Sequence, residues 1–462
     1  MKRDREAWMK FLATRVVGLA VDAATVGAAY LAALILRFDF REPPWGWRAS
    51  ALSFVTVCAA HLAALVLTGC YALSWRRIRA REVPRYVAAS ALACAVLTFM
   101  RFKLPDVSLA HVRPPYSVTL VSFVLVTVGF VAVRFFWRYY CESRLRDAEL
   151  LERDERRFDN SAAARFLAGR TVMVTGAGGS IGSELVRQVA AAGAAKVVLV
   201  ERCERALYEI DREMRRRAGG RVEFVPLLTD VREAESVRRA FAEHRPSVVL
   251  HAAAYKHVPM VESNPEEGWR NNLEGTKTLA GVALRYEVAR FVLVSTDKAV
   301  NPVSVMGRTK RAAELAVMEL NAEGRTSFCA VRFGNVFGSS GSVVPLFREQ
   351  IAAGGPVTVT HPDMRRYFMT VGEAVSLVLQ AASRDERAIY TLDMGESVRI
   401  VDLAEGLIRQ AGYRPYVDIP IVFTGIRPGE RLFEEIDISE KSAFRTDMAK
   451  IYITREEGST DA

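Results

Sequence analysis

The chain is 462 residues long, enough for two domains, and its charge is unevenly distributed along the sequence. Residues 1–148 carry 20 Lys and Arg against 9 Asp and Glu, whereas residues 149–462 carry 43 against 44. The net charge of +10 therefore belongs to the first third of the chain, which excludes a basic nucleic-acid-binding surface in the remainder. The 6 cysteines show no Cys-x-x-Cys pair and no paired spacing, which argues against a zinc site or a disulfide framework.

Four apolar stretches precede residue 150, and most of them approach the length that a helix needs to cross a bilayer. They cover residues 16–36, 49–71, 87–102 and 116–136. Their length and their lack of amphipathic spacing favour membrane spans over four buried helices of a soluble protein. Of the 20 basic residues in this part, 14 lie before the first span, between the second and third, or in the exit segment that begins at Arg134, at the end of the fourth. Positive residues stay on the cytoplasmic side, so the pattern predicts that both ends of the anchor face the cytosol.

One ionisable residue, Asp22, lies inside the first span. A charge at that depth is a functional-site hypothesis by default. The favoured alternative is that Asp22 pairs with another helix or reaches the cytoplasmic surface of the bilayer.

A glycine-rich loop follows a short β-rich run at Thr171–Thr175 and precedes a helical pattern at residues 183–192. Gly176, Gly179 and Gly182 give the spacing Gly-x-x-Gly-x-x-Gly. Glycines let the backbone turn tightly and approach a pyrophosphate, and the amides at the start of the next helix point at that anion. Because the loop lies between a strand and a helix, it predicts a dinucleotide site rather than an ordinary turn.

The second strand, residues 196–200, ends in Glu201, an acid that can bind the ribose hydroxyls of NAD. Arg202 follows and could instead face the 2′-phosphate of NADP. The sequence therefore favours NAD and leaves NADP as the alternative. Asp230 follows the third strand, where an adenine amino group could be bound. The residues predicted to bind the cofactor are Gly176, Gly179, Ser180, Ile181, Gly182, Glu201, Arg202, Asp230, Val231, Ala252, Ala253, Ala254, Ser295 and Lys310.

Strand and helix patterns alternate along the rest of the chain, with further strands predicted at 222–225, 248–251, 290–294 and 327–332. This alternation predicts an α/β fold with a doubly wound parallel Rossmann sheet, preceded by a four-helix transmembrane region. The predicted parts are an anchor at 1–146, a charged linker at 147–169, an NAD-binding core at 170–335 and a smaller substrate-binding part at 336–462.

A hydroxyl, a carboxylate and an amine emerge together where the predicted strand 290–294 ends, in the sequence Ser295-Thr296-Asp297-Lys298. The carboxyl ends of parallel strands are where open α/β sheets bind their ligands. An acid, a base and a hydrogen-bond donor side by side suit a reaction that moves two protons on one small molecule. Met306 and Lys310 follow on the next predicted helix.

Taken together, these motifs resemble the extended short-chain dehydrogenase/reductases, and within them the membrane-bound nucleotide-sugar 4,6-dehydratases of polysaccharide biosynthesis. The resemblance covers about residues 170–440 and the four-span anchor. The motifs that carry it are Thr-Gly-Ala-Gly-Gly-Ser-Ile-Gly at 175–182, Ala-Ala-Tyr-Lys-His-Val-Pro at 253–259, Asn-Asn-Leu-Glu-Gly-Thr at 271–276, Ser-Thr-Asp-Lys-Ala-Val-Asn-Pro at 295–302, Met-Gly-x-Thr-Lys at 306–310, Arg-Phe-Gly-Asn-Val at 332–336 and Arg-Pro-Gly-Glu-Arg-Leu at 427–432. Larger relatives carry a further α/β domain where this chain has only residues 147–169.

The resemblance implies specific roles. Most of the superfamily uses a Tyr-x-x-x-Lys pair, and Met306 occupies the tyrosine position here. Asp297 and Lys298 are implied to take over the proton transfers, while Thr296 bonds the carbon 4 oxygen and Lys310 holds the nicotinamide ribose. The implied substrate-binding residues are Lys256, His257, Asn335, Ser342, Val343, Arg427 and Glu430. Arg365 and Arg366 are either further phosphate contacts or members of surface ion pairs.

The implied function is that of a membrane-anchored UDP-N-acetylglucosamine 4,6-dehydratase that retains the carbon 5 configuration and supplies polysaccharide biosynthesis. The alternatives are a nucleotide-sugar 4-epimerase and a non-catalytic NAD-binding scaffold. The implied partners are a UDP-sugar, the lipid bilayer and further copies of the chain, with no nucleic acid and no metal. The implied location is the bacterial inner membrane, with the catalytic part in the cytosol.

Overall fold

A computed structural model describes residues 2–43, 46–72, 83–103, 114–143, 161–436 and 443–454. Contacts divide the chain into two compact units, Met1–Leu145 and Arg146–Ala462. Most of the predicted linker, the arginine-rich second loop and the C-terminal tail lie outside the described residues.

The first unit consists of four long helices, as the sequence predicts. They are α1 (Lys2–Phe38), α2 (Gly46–Leu67), α3 (Val83–Lys103) and α4 (Tyr116–Ser143), with a short 3₁₀ turn at Cys70–Ala72. Each helix contains 18 to 21 consecutive residues that are apolar enough to cross a membrane. Large apolar side chains such as Leu36, Leu67 and Phe102 point outward, which suits a lipid environment rather than water.

Asp22 pairs with another helix, the alternative that the sequence favours. Its Oδ2 lies 2.9 Å from Nη2 of Arg134 on α4, and the two side chains are 0% and 2% exposed. The hydroxyl of Tyr71 donates to the same oxygen at 2.9 Å, and the Arg134 guanidinium lies over the Tyr86 ring at 4.5 Å. The first and fourth helices are therefore joined by a buried ion pair that Tyr71 and Tyr86 also contact.

We expect the substitution Asp22→Asn to destabilise the anchor by about 3–5 kcal/mol, because it leaves Arg134 buried without a counter-charge. Thermal unfolding of the detergent-solubilised protein, followed by its helical circular dichroism, would measure the change. A double variant, Asp22→Leu with Arg134→Leu, should recover most of the loss because neither charge is then buried. Equal stability of Asp22→Asn and the wild type would contradict this account.

The second unit is built on a nine-stranded sheet that confirms the predicted doubly wound fold. Its strands run in the order β14-β15-β11-β6-β5-β4-β1-β2-β3. The strands are β1 (Thr171–Thr175), β2 (Lys196–Glu201), β3 (Glu223–Leu228), β4 (Val248–His251), β5 (Arg290–Val294), β6 (Ser327–Arg332), β11 (Ile389–Leu392), β14 (Ala443–Arg445) and β15 (Ile451–Thr454). The first seven in chain order are parallel, and β15 pairs antiparallel with β11 and β14.

Helices cover both faces of this sheet. They are α5 (Ser161–Leu167), α6 (Ser180–Ala191), α7 (Glu204–Ala218), α8 (Ala234–His244), α9 (Val258–Ser263), α10 (Pro265–Trp269), α11 (Gly275–Arg285), α12 (Val305–Glu319), α13 (Val343–Ala353), α14 (Val371–Ala382) and α15 (Ile400–Gln410). A π-helical turn at Arg270–Glu274 and 3₁₀ turns at Asp297–Ala299 and Leu320–Glu323 complete the set. Alternate strand residues feed separate cores, with Val172 and Val174 on one face of β1 and Met173 on the other.

Residues 336–462 divide between a small lobe and the main sheet. The lobe contains the short strands β7 (Asn335–Val336), β8 (Val357–Val359), β9 (Arg365–Arg366), β10 (Phe368–Met369), β12 (Val398–Arg399) and β13 (Ile421–Phe423). Its core includes Phe347, Phe368 and Leu407. Strands β11, β14 and β15 return to the main sheet. The main sheet therefore takes strands from both sides of the predicted division at residue 335.

Candidate active site

Two adjoining cavities open where strand order reverses beside β1, at the carboxyl ends of the parallel strands. One, of about 590 Å³, is lined by the glycine-rich loop and will be called the cofactor cavity. The other, of about 410 Å³, is lined by the ends of β5 and β6 and by the small lobe, and will be called the substrate cavity. The two share a wall formed by Ile181, Ala252, Ala254, Tyr255, Lys256 and His257. Ligands in the two cavities would therefore lie against each other.

The glycine-rich loop is packed so tightly that side chains cannot replace its glycines. A Cβ atom on Gly182 would lie 1.9 Å from the carbonyl oxygen of Gly176, and Gly176 itself has a φ of +64°. A Cβ on Gly176 would lie 2.9 Å from the backbone of Ala253. Helix α6 starts at Ser180, so its first amides and its positive dipole end face the cofactor cavity. These features fit the pyrophosphate of a dinucleotide.

The acidic residue at the end of β2 is held in place by backbone amides. Oε2 of Glu201 accepts a hydrogen bond from the amide of Gly178 at 3.1 Å, and its Oε1 accepts from the amides of Arg202 and Cys203 at 3.0 Å. The Arg202 guanidinium lies over the Tyr255 ring, 4.6 Å from its centroid. Glu201 therefore presents its carboxylate rigidly beside the glycine loop, while Arg202 is stacked on an aromatic side chain.

Asp230 is bound to a residue that the sequence does not single out, Arg232. The Asp230 carboxylate accepts bonds from Arg232 Nε and Nη2, the latter at 2.8 Å, and Arg232 also reaches Glu267 at 2.9 Å. Partial burial opposes ionisation, but these hydrogen bonds lower the pKa of Asp230 below its usual range. Its neighbour Val231 is buried in the core. An adenine bound here would share the Asp230 carboxylate with Arg232.

A neutral histidine network lies under the cofactor loop. His251, at the end of β4, accepts a hydrogen bond at Nδ1 from Thr175 Oγ1 (2.7 Å) and pairs through Nε2 with Thr276 Oγ1 (2.9 Å). The Thr276 hydroxyl donates in turn to the carbonyl of Asn272. Burial, assisted by the charge of Lys310, lowers the pKa of His251 to about 3. The imidazole is therefore neutral, and it fixes the end of β4 from which Ala252, Ala253 and Ala254 extend.

The predicted acid–base residues meet at the end of β5. Thr296 caps the 3₁₀ turn Asp297–Ala299, and its hydroxyl donates to Oδ1 of Asp297 at 2.8 Å. Lys298 Nζ lies 3.0 Å from that same oxygen and 3.0 Å from Oδ1 of Asn335 on β7. The Asp297 and Lys298 side chains are 2% and 19% exposed. A carboxylate and an amine thus share one hydrogen bond in a nearly dry environment.

Met306 and Lys310 lie one turn apart on α12 and both line the substrate cavity. Met306 is 3% exposed and presents a thioether where the superfamily has a phenol. Lys310 Nζ donates to the carbonyl of Val294 at 2.7 Å. Burial lowers the pKa of Lys310 to about 8, with Glu314 acting weakly in the opposite direction. Lys310 is therefore poised between its charged and neutral forms near physiological pH.

Ser295 lines the substrate cavity, but its hydroxyl points to a buried ion pair. It donates to Oε1 of Glu314 at 2.6 Å, and Arg332 Nε donates to the same oxygen at 2.8 Å. Glu314 is 0% and Arg332 4% exposed. This pair, which sequence reasoning missed, ties α12 to β6 and so fixes Lys310 relative to the end of β5.

All seven residues predicted to bind substrate line the substrate cavity: Lys256, His257, Asn335, Ser342, Val343, Arg427 and Glu430. Burial lowers the pKa of Lys256, and burial together with the charge of Lys256 lowers the pKa of His257. The His257 ring packs on Gly341, where a Cβ would come within 2.5 Å of the ring.

Three buried polar atoms in this region have no hydrogen-bond partner among the described residues. Ser342 Oγ and Glu430 Oε2 belong to residues that line the substrate cavity, whereas Asp297 Oδ2 belongs to a residue that does not line it. Leaving such atoms unpaired costs about 1–3 kcal/mol each, so native structures rarely tolerate a group of them without a ligand. Their hydroxyl and carboxylate chemistry suits a ligand rich in hydroxyl groups.

Sequence reasoning missed Glu434 and mistook the environment of Arg366. Glu434 Oε1 lies 3.6 Å from Lys298 Nζ and 3.5 Å from Arg366 Nε. Arg366 is buried, and its other donors bind the backbone carbonyls of Arg365, Leu432 and Arg431. Arg366 is therefore neither a surface residue nor free for phosphate. It fixes the segment after the Arg-Pro-Gly motif. Among the residues that the structure describes, no group of three His, Cys, Asp or Glu is arranged to hold a metal ion.

The fold and the glycine loop define an α/β protein of the dinucleotide-binding class. Comparison with known proteins identifies its family. The chain belongs to the polysaccharide biosynthesis protein family, whose model matches residues 172–456. This confirms the resemblance found in the sequence.

Two relatives show what that match covers. The chain is 52% identical over 290 residues to the capsular polysaccharide biosynthesis protein CapD of Staphylococcus aureus, which covers 62% of this chain and 48% of CapD. The chain thus spans about half the length of that curated relative. It is 43% identical over 286 residues to an uncharacterized membrane protein of Methanocaldococcus jannaschii, covering 60% of this chain and 83% of that protein.

Among solved structures, the chain is similar to Pen from Bacillus thuringiensis, with a TM-score of 0.57 and 29% identity. That similarity covers 63% of this chain and 90% of Pen. It supports the Rossmann-type architecture of the second unit.

The neutral state of His251 predicts how stability depends on pH. The folded-state pKa is depressed from 6.5 to about 3, so the stability that the neutral ring provides is lost as the pH falls through that range. We expect this residue alone to add a slope of about 1.4 kcal/mol per pH unit there. Melting of the wild type should respond more steeply to acid than melting of His251→Gln. Parallel curves for the two proteins would rule out a neutral, buried His251.

Proposed function

We propose that this protein is a membrane-anchored UDP-N-acetylglucosamine 4,6-dehydratase that retains the carbon 5 configuration. The observation that carries the proposal is the buried contact between Asp297 and Lys298 beside the cavity that Met306 also lines. A dehydratase needs an acid and a base within one substrate, and a carboxyl and an amine stand there side by side. The product, a UDP-4-keto-6-deoxy-N-acetylhexosamine, would serve polysaccharide biosynthesis in the cytosol of a bacterium.

The cofactor cavity is proposed to bind NAD. Its tight glycine loop and the first amides of α6 suit the pyrophosphate, and Glu201 suits two free ribose hydroxyls. A 2′-phosphate would meet the negative charge of Glu201, which favours NAD over NADP. When bound, the nicotinamide would take a hydride from carbon 4 of the sugar and later give it to carbon 6. Lys310, which lines the substrate cavity, is proposed to hold the nicotinamide ribose.

The substrate cavity offers two basic side chains for the diphosphate of a UDP-sugar. Arg427 can present paired donors to the diphosphate, and Lys256 adds a second cation. The unpaired oxygens of Glu430 and Ser342 are acceptors for hydroxyl groups of the ligand. These residues would bind the diphosphate and the hydroxyl groups of a UDP-sugar in the cavity that Lys298 also lines.

The Asp297–Lys298 pair is proposed to carry out the proton transfers at carbon 5 and carbon 6. Lys298, as a neutral amine, takes the proton from carbon 5, and the electrons of that C–H bond form a double bond to carbon 6. Asp297, as a carboxylic acid, protonates the hydroxyl leaving carbon 6, which departs as water. Lys298 later returns its proton to carbon 5. The carbon 4 hydroxyl releases its proton to water, and water returns one proton to the Asp297–Lys298 pair at the end of the turnover.

The same contact supplies the reactive form of the pair. Lys298 Nζ and Asp297 Oδ1 are 3.0 Å apart, so one proton moving along this hydrogen bond converts an ion pair into an amine and an acid. The Thr296 hydroxyl, which donates to Asp297 Oδ1 in the structure, is proposed to turn to the carbon 4 oxygen when Asp297 is protonated and to stabilise the charge that develops there. Met306 contributes an apolar wall and cannot accept a proton.

A nucleotide-sugar 4-epimerase is the nearest alternative. Epimerisation moves a hydride at carbon 4 and removes no proton from carbon 5, so the Asp297–Lys298 pair would have no task. A non-catalytic NAD-binding scaffold would not need it either. The buried contact between Asp297 and Lys298, whose side chain lines the substrate cavity, favours the dehydratase over both. Assembly into homo-oligomers also belongs to this proposal.

Cofactor choice can be tested by binding alone. We expect the purified protein to bind NAD at least about 10-fold more tightly than NADP, the equivalent of one charged hydrogen bond. The substitution Glu201→Ser should reduce this preference by removing the carboxylate that faces the ribose. Fluorescence titration of the reduced cofactors would measure both ratios. An unchanged ratio in the variant would exclude Glu201 as the determinant.

Turnover tests the dehydratase itself. The full-length protein in detergent, incubated with UDP-N-acetylglucosamine in deuterated water, should lose water and incorporate deuterium at carbon 5 with retained configuration, as read by NMR and mass spectrometry. Asp297→Asn and Lys298→Met should each reduce water loss by about 100-fold or more, because each removes one of the two proton-transfer groups.

NAD binding serves as the control, and it should persist in both variants because neither residue lines the cofactor cavity. Conversion to a 4-epimer without loss of water would replace the dehydratase with the epimerase. No conversion by the NAD-bound wild type would support the scaffold.

A further inference from the structure

An acidic side chain, Glu434, lies at the substrate cavity, where most of the other charged residues are basic. Its side chain is only 6% exposed, and its Oε1 is 3.6 Å from Nζ of Lys298. We infer that Glu434 is a positioning residue for the proposed dehydration, which orients the Lys298 amine and stabilises the positive charge that develops on it. This inference rests on the proposed function and adds a residue to it.

The surroundings of Lys298 Nζ form a three-oxygen cradle. Asp297 Oδ1 and Asn335 Oδ1 each lie at 3.0 Å and Glu434 Oε1 at 3.6 Å. An ammonium has three hydrogens, so each can point to one of these oxygens. A neutral amine has two hydrogens and one lone pair, so one oxygen must then give way. The longest contact is the one to Glu434, so the neutral amine gives up that contact first and the ammonium regains it after taking the carbon 5 proton.

Glu434 is held in this position from outside the catalytic turn. Arg366 Nε lies 3.5 Å from Glu434 Oε1, and the same guanidinium donates to the carbonyls of Arg431 and Leu432. The segment that carries Glu434 continues from Arg427 and Glu430, which line the cavity on the nucleotide side. The backbone that carries the Glu434 carboxylate is therefore held by Arg366, independently of Lys298.

Glu434 acts when the charge on Lys298 changes. Before proton abstraction the reactive pair is a neutral amine and a neutral acid, while Glu434 and Arg366 neutralise each other. After abstraction Lys298 is an ammonium and Asp297 a carboxylate. The carboxylate of Glu434 then faces a new cation in a nearly dry site, where such an interaction is stronger than in water. Glu434 thus favours the step that removes the carbon 5 proton, not the preceding oxidation at carbon 4.

The next residue, Glu435, gives a matched control. Its carboxylate is 55% exposed and points away from the pair, toward Asn301 Nδ2 at 2.9 Å and Arg431 Nη1 at 3.0 Å. The two glutamates share a backbone segment and differ in what their carboxylates face. A purely structural role for this acidic segment would make both substitutions similar, whereas charge stabilisation at Lys298 concerns Glu434 alone.

The test separates oxidation from proton abstraction in Glu434→Gln. In a single turnover of NAD-bound full-length protein with UDP-N-acetylglucosamine, water loss and deuterium entry at carbon 5 should slow by about 10- to 100-fold, the equivalent of one interaction with a charged group. The near-ultraviolet absorbance of reduced nicotinamide should build up, because carbon 4 is still oxidised. UDP affinity and melting temperature should match the wild type. Glu435→Gln should stay within about twofold of the wild type in all of these.

A second variant, Glu434→Asp, keeps the charge at a greater distance and should recover part of the rate if Glu434→Gln folds poorly. Wild-type water loss in Glu434→Gln, or parallel losses of oxidation, UDP affinity and water loss in both glutamine variants, would overturn the inference. If the wild type itself neither reduces bound NAD nor releases water, the proposed function fails first, and that outcome is distinct from a failure confined to Glu434.

Discussion

The Asp297–Lys298 contact is the interaction on which the candidate active site depends. A buried ion pair loses hydration that its own attraction barely repays, so it persists only when further groups satisfy both partners. Those groups come from separate parts of the chain: Thr296 from the same turn, Asn335 from the segment after β6, and Glu434 from beyond residue 430. The parallel sheet makes this possible because it brings the ends of β5 and β6 together and places the small lobe over them.

The sequence predicts the parts of this site that have local signals. The glycine loop, the six strands β1–β6 and the turn after β5 are readable because a strand, a turn and a helix follow one another within a few residues. Long-range contacts lack such signals. Glu434 is one of two adjacent glutamates, and only the fold turns it toward Lys298 while Glu435 faces Asn301. The buried Arg332–Glu314 pair likewise joins a strand to a helix that precedes it in the chain.

Two residues predicted to bind the cofactor show a related limit. Ser295 and Asp230 follow strands at the correct edge of the sheet, yet their side chains make hydrogen bonds within the protein, to Glu314 and Arg232. The position of a residue along a strand predicts the edge of the sheet at which its side chain lies, but not the residue with which it forms a hydrogen bond. The same holds in the first unit, where Asp22 within an apolar helix is explained only by Arg134 on a helix distant in sequence. In each case burial demands a partner, and the fold supplies it.

The architecture alone cannot separate a dehydratase from an epimerase, since both reactions begin with a hydride leaving carbon 4 beside the same cofactor cleft. The difference must lie in groups that address carbon 5 and carbon 6. In this chain a phenol is absent at Met306, while a carboxyl and an amine stand together at Asp297 and Lys298, with an unpaired carboxylate oxygen. An epimerase would bury this pair at a cost and gain nothing from it. The burial of the pair is explained if both groups exchange protons with the substrate, and that is the physical reason for the dehydration that we propose at this site.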